Sequence, residues 1–251
     1  MTDLPADTVH ERFTVDGAQI VAESAGDPAA RVTFLLVHGI GMGRRVFGDL
    51  VSRLAPHGFC IAIDLPGYGE APEPARTPTI ERMADIVAAY LRRTDRGPVV
   101  LVGHSMGTQV VVEIAVRHPE LASHVVLVAP TVDRRARHPL TQFLRLAADV
   151  VGESPKVIWL GAREYLRAGP NLRGKVRSAF SHRPERVYPD VRVPALVIRG
   201  GKDRVSPRRW CDEVASLLPD ARRSTVPGHG HETLIDDATP AAREIVRLVT
   251  G

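Results

Sequence analysis

The sequence predicts an α/β protein: a mostly parallel sheet with helices on both faces and a helical segment inserted late in the chain. Three observations carry that expectation. Short continuous apolar runs, the pattern of strands covered on both faces, alternate with stretches of helical periodicity. The alternation breaks between Thr131 and Asp190, where helix-like stretches succeed one another without a convincing strand. It then resumes to the end of a 251-residue chain, long enough for one substantial core and short for two ordinary domains.

Element by element, residues 11–15 and 19–24 form an expected antiparallel hairpin around Asp16-Gly17. Residues 32–37 are a continuous apolar strand, 44–54 a helix and 60–63 a second buried strand. Residues 79–92 place Ile80, Met83, Ala84, Val87 and Leu91 at helical spacing. Strands at 99–102 and 125–128 flank a helix over 106–117. In the break, Leu140, Phe143, Leu144, Ala147 and Val151 share one helical face. A further helix opens at Ser154-Pro155, where serine caps and proline fits the first turn. A strand at 195–199, a helix over 207–217, a short strand at 223–226 and a last helix over 240–249 complete the order. The expected organisation is a core of residues 1–130 and 191–251, with residues 131–190 inserted as a lid.

Composition narrows the function classes. Hydrophobic residues at 44% and charged ones at 25% are the balance of a soluble globular chain. No apolar run is long enough to cross a bilayer, and the polar stretch carrying Asp3, Asp7 and Glu11 has no secretory apolar region. Two cysteines, Cys60 and Cys211, suit a reducing compartment, so a cytoplasmic location is expected. Residues 131–194 carry 13 Lys and Arg against 6 Asp and Glu, although the whole chain is only +4. That excess reads first as a solvated arginine-rich surface and second as an attraction for an anionic substrate or partner. No nucleic-acid module accompanies the arginines, so nucleic acid is not an expected partner.

The sharpest motif is Gly103-His104-Ser105-Met106-Gly107, set between the apolar strand and the helix that follows it. A serine there reads as a nucleophile elbow. The bend is so tight that side chains two residues either side of the serine would collide, which explains the glycines. A serine hydroxyl needs a base to take its proton and a carboxylate to orient that base. Two later segments offer them: Gly200-Gly201-Lys202-Asp203 after one strand, and Gly228-His229-Gly230-His231 after the next. Earlier, His38-Gly39-Ile40-Gly41 puts a glycine-rich turn at a strand end, where backbone N–H groups meet developing negative charge. All four segments fall at the carboxyl ends of parallel strands.

With Asp64-Leu65-Pro66-Gly67-Tyr68-Gly69, these segments make the chain resemble a lidded member of the α/β-hydrolase superfamily over nearly its whole length. The resemblance implies Ser105 as nucleophile, His231 as base and Asp203 as orienting acid, with the N–H groups of Ile40 and Met106 as oxyanion hole. It implies no metal and no organic cofactor. Thr108 stands where glycine is frequent, and Glu70-Ala71 where serine is. His229 competes with His231, since both follow a glycine; the spacing to Asp236 and the Val226-Pro227 lead-in favour His231. Asp133, just past another strand, competes with Asp203. Asp64 reads as structural, His104 as packing beside the elbow, and His38 as a brace for the oxyanion turn. The aromatics Phe143, Trp159, Tyr165, Phe180 and Tyr188 are lid core by default. Phe143, Trp159 and Tyr165, together with His38, are the candidate substrate contacts.

The expected reaction is hydrolysis of a carboxylic ester or lactone of small size, by a monomer or homodimer. Relatives that open epoxides or remove halides need aspartate at the elbow, which Ser105 disfavours. Carbon–carbon hydrolases share the triad but commonly follow its histidine with tryptophan, where this chain has Glu232. Thioester cleavage, perhydrolysis as a side activity, and a ligand receptor with little turnover complete the alternatives.

Overall fold

The computed structural model describes residues 8–137, 171–235 and 237–251. The chain opens with β1 (Val9–Val15) and β2 (Ala18–Ala25), paired antiparallel. Asp16 and Gly17 between them both have positive φ, 48° and 74°. A two-residue loop of that kind carries the right-handed twist that lets the strands pair. Then come β3 (Thr33–Val37), α1 (Gly48–Leu54), β4 (Phe59–Asp64), α2 (Ile80–Arg93), β5 (Val99–His104), α3 (Gly107–Arg117) and β6 (Ala122–Val128). After the insertion follow β7 (Ala195–Gly200), α5 (Arg208–Leu217), β8 (Ala221–Val226) and α6 (Thr239–Thr250), with α4 (Leu172–Ser181) inside it.

The strands form one sheet in the order β1-β2-β4-β3-β5-β6-β7-β8. Every pair from β4 to β8 is parallel, and only the hairpin and its junction with β4 run antiparallel. Alternation along each strand feeds two cores. Leu35 and Val37 of β3 face a layer with Ile80 and Val87 of α2, Val110 and Ile114 of α3 and Trp210 of α5. Phe34 and Leu36 face Leu50 and Leu54 of α1 and Ile245 of α6 on the other side. The chain steps from β3 outward to β4 and then crosses back to β5, so a crevice opens between the ends of β3 and β5.

One expected helix is divided. Residues 44–54 begin as a 3-10 turn, Arg44–Phe47, before α1. Arg44 is the reason: its backbone N–H donates to Asp64 Oδ1 at 2.5 Å, and its buried guanidinium pairs with Asp64, Glu23 and Glu70. That tertiary pairing fixes the local geometry against the helical spacing of the sequence. α2 starts where expected, because the Thr79 hydroxyl accepts from the Arg82 N–H.

The insertion lies between β6 and β7, and among its described residues there is no strand. It holds α4 and 3-10 turns at Arg134–Ala136, Pro184–Arg186 and Tyr188–Asp190. Phe180 and the fully buried Tyr188 pack on the layer of α2, α3 and α5. Arg137 spans the insertion's two ends, holding both oxygens of Glu185 at 2.8 and 2.7 Å. His182, just past α4, bonds Gln109 Oε1 at 3.0 Å and Glu113 Oε1 at 2.7 Å, both on α3. The face carrying Leu140, Phe143, Leu144, Ala147 and Val151, and the helix expected at Ser154-Pro155, lie outside the described residues. Among the described residues no helix is long and apolar enough to cross a membrane. Cys60 and Cys211 are buried and unlinked, and burial pushes each thiol up to about 12, which leaves them inert.

Candidate active site

Ser105 sits immediately after β5, with φ +52°, a left-handed conformation that costs a non-glycine residue about 1–3 kcal/mol. Neighbouring backbone holds it there. Its N–H donates to Val128 O on β6 at 2.9 Å, and its carbonyl accepts from the Thr108 N–H at 3.0 Å and hydroxyl at 2.6 Å. Threonine in place of the family's frequent glycine thus adds a clasp on the elbow. The two flanking glycines are required for different reasons. A β-carbon at Gly103 would lie 2.5 Å from Gly107 O, within the bend itself. One at Gly107 would strike the Val37 carbonyl and come within 2.8 Å of that of His38, so this glycine lets the elbow press against the end of β3.

His231 is brought to the serine by the loop after β8. Its Nε2 accepts from the Ser105 hydroxyl at 3.0 Å, and its Nδ1–H donates to Asp203 Oδ2 at 3.1 Å. The carboxylate accepts only, which fixes the tautomer: proton on Nδ1, lone pair of Nε2 toward the serine. The other oxygen of Asp203 accepts the N–H groups of Val205 and Ser206, each at 2.8 Å. Both loops are stitched together, since Gly201 N–H donates to Val226 O at 2.7 Å and Lys202 N–H to His229 O at 2.8 Å. From the opposite side, Ser206 Oγ and Trp210 Nε1 both donate to Pro130 O at 2.9 Å. The acid therefore stands on a frame of main-chain bonds. Ser105, His231 and Asp203 are all buried and form one hydrogen-bonded line, the Ser–His–Asp arrangement typical of serine hydrolases.

The competitors are placed elsewhere. His229 is half-buried in the same loop and bonds Pro227 O at 3.0 Å. Asp133 is fully buried, but its carboxylate caps the turn at Arg135 N–H, 3.0 Å, and pairs with Arg209 at 2.6 Å. Asp64 is structural, receiving Arg44 and the Glu70 N–H. His38 accepts from the Leu65 N–H at Nε2, 3.1 Å, so its Nδ1–H donates to Gly39 O at 2.7 Å. With both nitrogens bound to backbone, this fully buried ring braces the turn. Phe143, Trp159 and Tyr165 lie outside the described residues.

His104 does more than pack. Its Nε2–H donates to the carbonyl of His231 at 3.0 Å, and the two rings lie 5.3 Å apart. Burial, reinforced by the neighbouring His231, pulls its pKa down to about 3, so the ring is neutral. Sequence spacing gave no sign of this bond, which joins residues 127 apart. Neither the Ile40 N–H nor the Met106 N–H meets an acceptor among the described residues. A β-carbon at Gly39 would stand 3.1 Å from Ser105 Cβ, a measure of how closely that turn approaches the nucleophile. One grouping of metal-ligating type occurs among the described residues: Glu81, Glu113 and His182 bring ligand atoms within 4.8 Å of one another. Both nitrogens of that histidine already bond Gln109 and Glu113.

A strained serine at the crevice, a histidine and an acid from successive strand ends, and the sheet order together define a serine hydrolase of α/β architecture. The chain belongs to the alpha/beta hydrolase family, whose sequence profile matches residues 34–244. It is 28% identical, across 89% of its length and 78% of the relative's, to a pimeloyl-[acyl-carrier protein] methyl ester esterase of Neisseria meningitidis. It is 36% identical over 134 residues to the uncharacterised hydrolase YugF of Bacillus subtilis, a match spanning 53% of this chain and about half, 48%, of that one. Among solved structures it is similar to the enol-lactonase of Burkholderia xenovorans, with a TM-score of 0.82 and 20% identity over 96% of this chain and all, 100%, of that one.

Proposed function

We propose that the protein cleaves carboxylic esters, lactones included, by forming an acyl-enzyme on Ser105. The observation that carries this reading is the continuous line from Ser105 Oγ through His231 to Asp203. His231 Nε2 accepts the serine proton as the oxygen attacks the substrate carbonyl. Asp203 holds the ring in the tautomer this requires and offsets the charge of the imidazolium that forms. The oxyanion is received by the N–H groups of Ile40 and Met106, an assignment supported by their lack of acceptors among the described residues. The start of α3 beside Met106 adds a favourable dipole. His231 next protonates the leaving alkoxide, then draws a proton from water to release the acid.

Esters are favoured over other acyl substrates by the Neisseria relative's methyl ester activity and by Glu232 in place of tryptophan after the histidine. Residues 131–190 serve as the lid over this site, a reading supported by α4 and its ties to α3. The basic excess of residues 131–194 favours a substrate with an anionic group. Two inert thiols fit a reducing compartment such as the cytoplasm.

The test is a panel of short-acyl, long-acyl and lactone substrates with a fluorophosphonate probe, run on the wild type and Ser105→Ala. Wild type is expected to turn over esters and take one phosphonate at Ser105. The variant is expected to lose label and about 10⁶-fold in kcat, the scale set by serine removal in comparable triads. Ester turnover by Ser105→Ala at the wild-type rate would end this mechanism.

A further inference from the structure

One charged side chain of the insertion is buried where a helix would ordinarily show an aliphatic one. Lys175 lies on the inner face of α4, 1% exposed, within the stripe that includes Leu172, Val176 and Ala179. A buried ammonium costs several kcal/mol unless its partners are well placed. Lys175 Nζ donates to Glu73 Oε1 and to the carbonyl of Gly67, and stands 4.6 Å from the centre of the Tyr68 ring. Gly67 has φ +83°, and a β-carbon on it would lie 2.7 Å from Glu73 Oε2 and 3.3 Å from Lys175 Cε. The turn is thus shaped to admit both ion-pair partners against bare backbone.

What Lys175 grips leads to the nucleophile. Tyr68 turns its hydroxyl away from the ion pair and donates to Met106 Sδ at 3.5 Å. Burial and the Glu73 carboxylate hold that phenol far above its ordinary range, so it is a donor at any working pH. The ring's other neighbour is His38, 5.1 Å between centres. His38 in turn bonds Gly39 O, at the residue before Ile40. One tyrosine therefore touches the side chain of Met106, whose backbone supplies one proposed oxyanion N–H, and the histidine that braces the turn of the other. At the far end the same turn is pinned by Asp64 to Arg44 and to the Glu70 N–H. Among the described residues, the insertion holds this turn at the Lys175 end.

Resting on the acyl-enzyme reading above, we propose that Lys175 is a positioning residue for the oxyanion hole: by clamping Gly67, Tyr68 and Glu73 it seats Tyr68 against Met106 and His38. Docking of α4 and alignment of the two N–H donors are then a single event. Lys175 touches no reacting atom. Its loss lets Tyr68 shift, and donors that are misplaced stabilise the transition state less while binding substrate as before.

Lys175→Met keeps the length and removes the charge. With p-nitrophenyl acetate and sites counted by phosphonate titration, we expect kcat per titrated site to fall about 10–100-fold, part of the effect of losing a whole donor. KM should move less than about twofold. Phosphonylation should slow in proportion, because the phosphoryl oxygen occupies the same donors. Lys175→Arg, which retains the cation, should recover part of the rate. Tyr68→Leu tests the same link from the other side should Lys175→Met fail to fold, and it should reproduce the kcat loss. A folded Lys175→Met or Tyr68→Leu enzyme with a lower Tm but wild-type kcat per titrated site would reduce these residues to structural support and overturn the proposal. Wild-type enzyme that turns over ester in that case leaves the acyl-enzyme reading standing. Wild-type enzyme that neither turns over ester nor takes label would remove both.

Discussion

Asp203 and Asp133 stand a few residues beyond the ends of neighbouring parallel strands, both withdrawn from solvent, yet only one serves the histidine. The difference lies in how their oxygens are occupied. Asp203 spends one oxygen on the N–H groups of Val205 and Ser206 and turns the other to His231. Asp133 spends one on a turn cap and gives the other to Arg209, a cation already in place. Main-chain donors orient a carboxylate without neutralising it, whereas an arginine does both. A strand-end acid is therefore available to a triad when backbone, and no fixed cation, satisfies its remaining oxygen.

The comparison breaks most visibly at Asp203. Asp203→Asn should lower kcat about 10⁴-fold by stabilising the wrong imidazole tautomer, whereas Asp133→Asn should leave kcat within about threefold. Steady-state ester kinetics on the two variants decide it; an equal loss in both would erase the distinction. The same Asp133 change keeps a cap acceptor, because the asparagine Oδ1 can still receive the Arg135 N–H, and removes the charge facing half-exposed Arg209, so stability is expected to fall by about 1 kcal/mol. Urea unfolding reads that out.

His104 sharpens the contrast by pH. Its folded pKa of about 3 lies below the 6.5 of an unperturbed histidine, so the unfolded chain takes up a proton that the native one refuses. Stability from this group is whole above about pH 6.5 and is lost as pH falls toward 3, at about 1.4 kcal/mol per unit. His104→Asn should make the stability curve shallower by one proton between pH 6 and 4. Parallel curves for the two proteins would contradict the neutral buried ring. Smallest of all, His229→Ala should change kcat less than about twofold in the same ester assay, since among the described residues that ring's hydrogen bond is to Pro227 O and not to the triad.

Much of this was legible in the residues. The strand positions along the chain and the elbow follow from local rules: apolar runs make strands, and the glycines at 103 and 107 are demanded by clashes the structure displays. Asp203 and His231 were readable because each closes a strand with a glycine turn. What stayed hidden joins distant segments. The bond from His104 to the His231 carbonyl and the grip of Lys175 on a turn 108 residues earlier have no signature in spacing. Lys175 left one local trace, a cation inside an otherwise apolar helical stripe. The split of residues 44–54 was similarly invisible, because Arg44 answers to Asp64 across 20 residues rather than to its helical neighbours.

The contacts of His182 with Gln109 and Glu113 bear on protein engineering. Swapping substrate-selecting segments between hydrolases treats them as interchangeable modules. Here a graft of residues 131–190 alone would strand that imidazole on a foreign α3 and leave Lys175 without Glu73. A transplant that keeps the donor's Gln109, Glu113, Gly67 and Glu73 carries its own sockets with it.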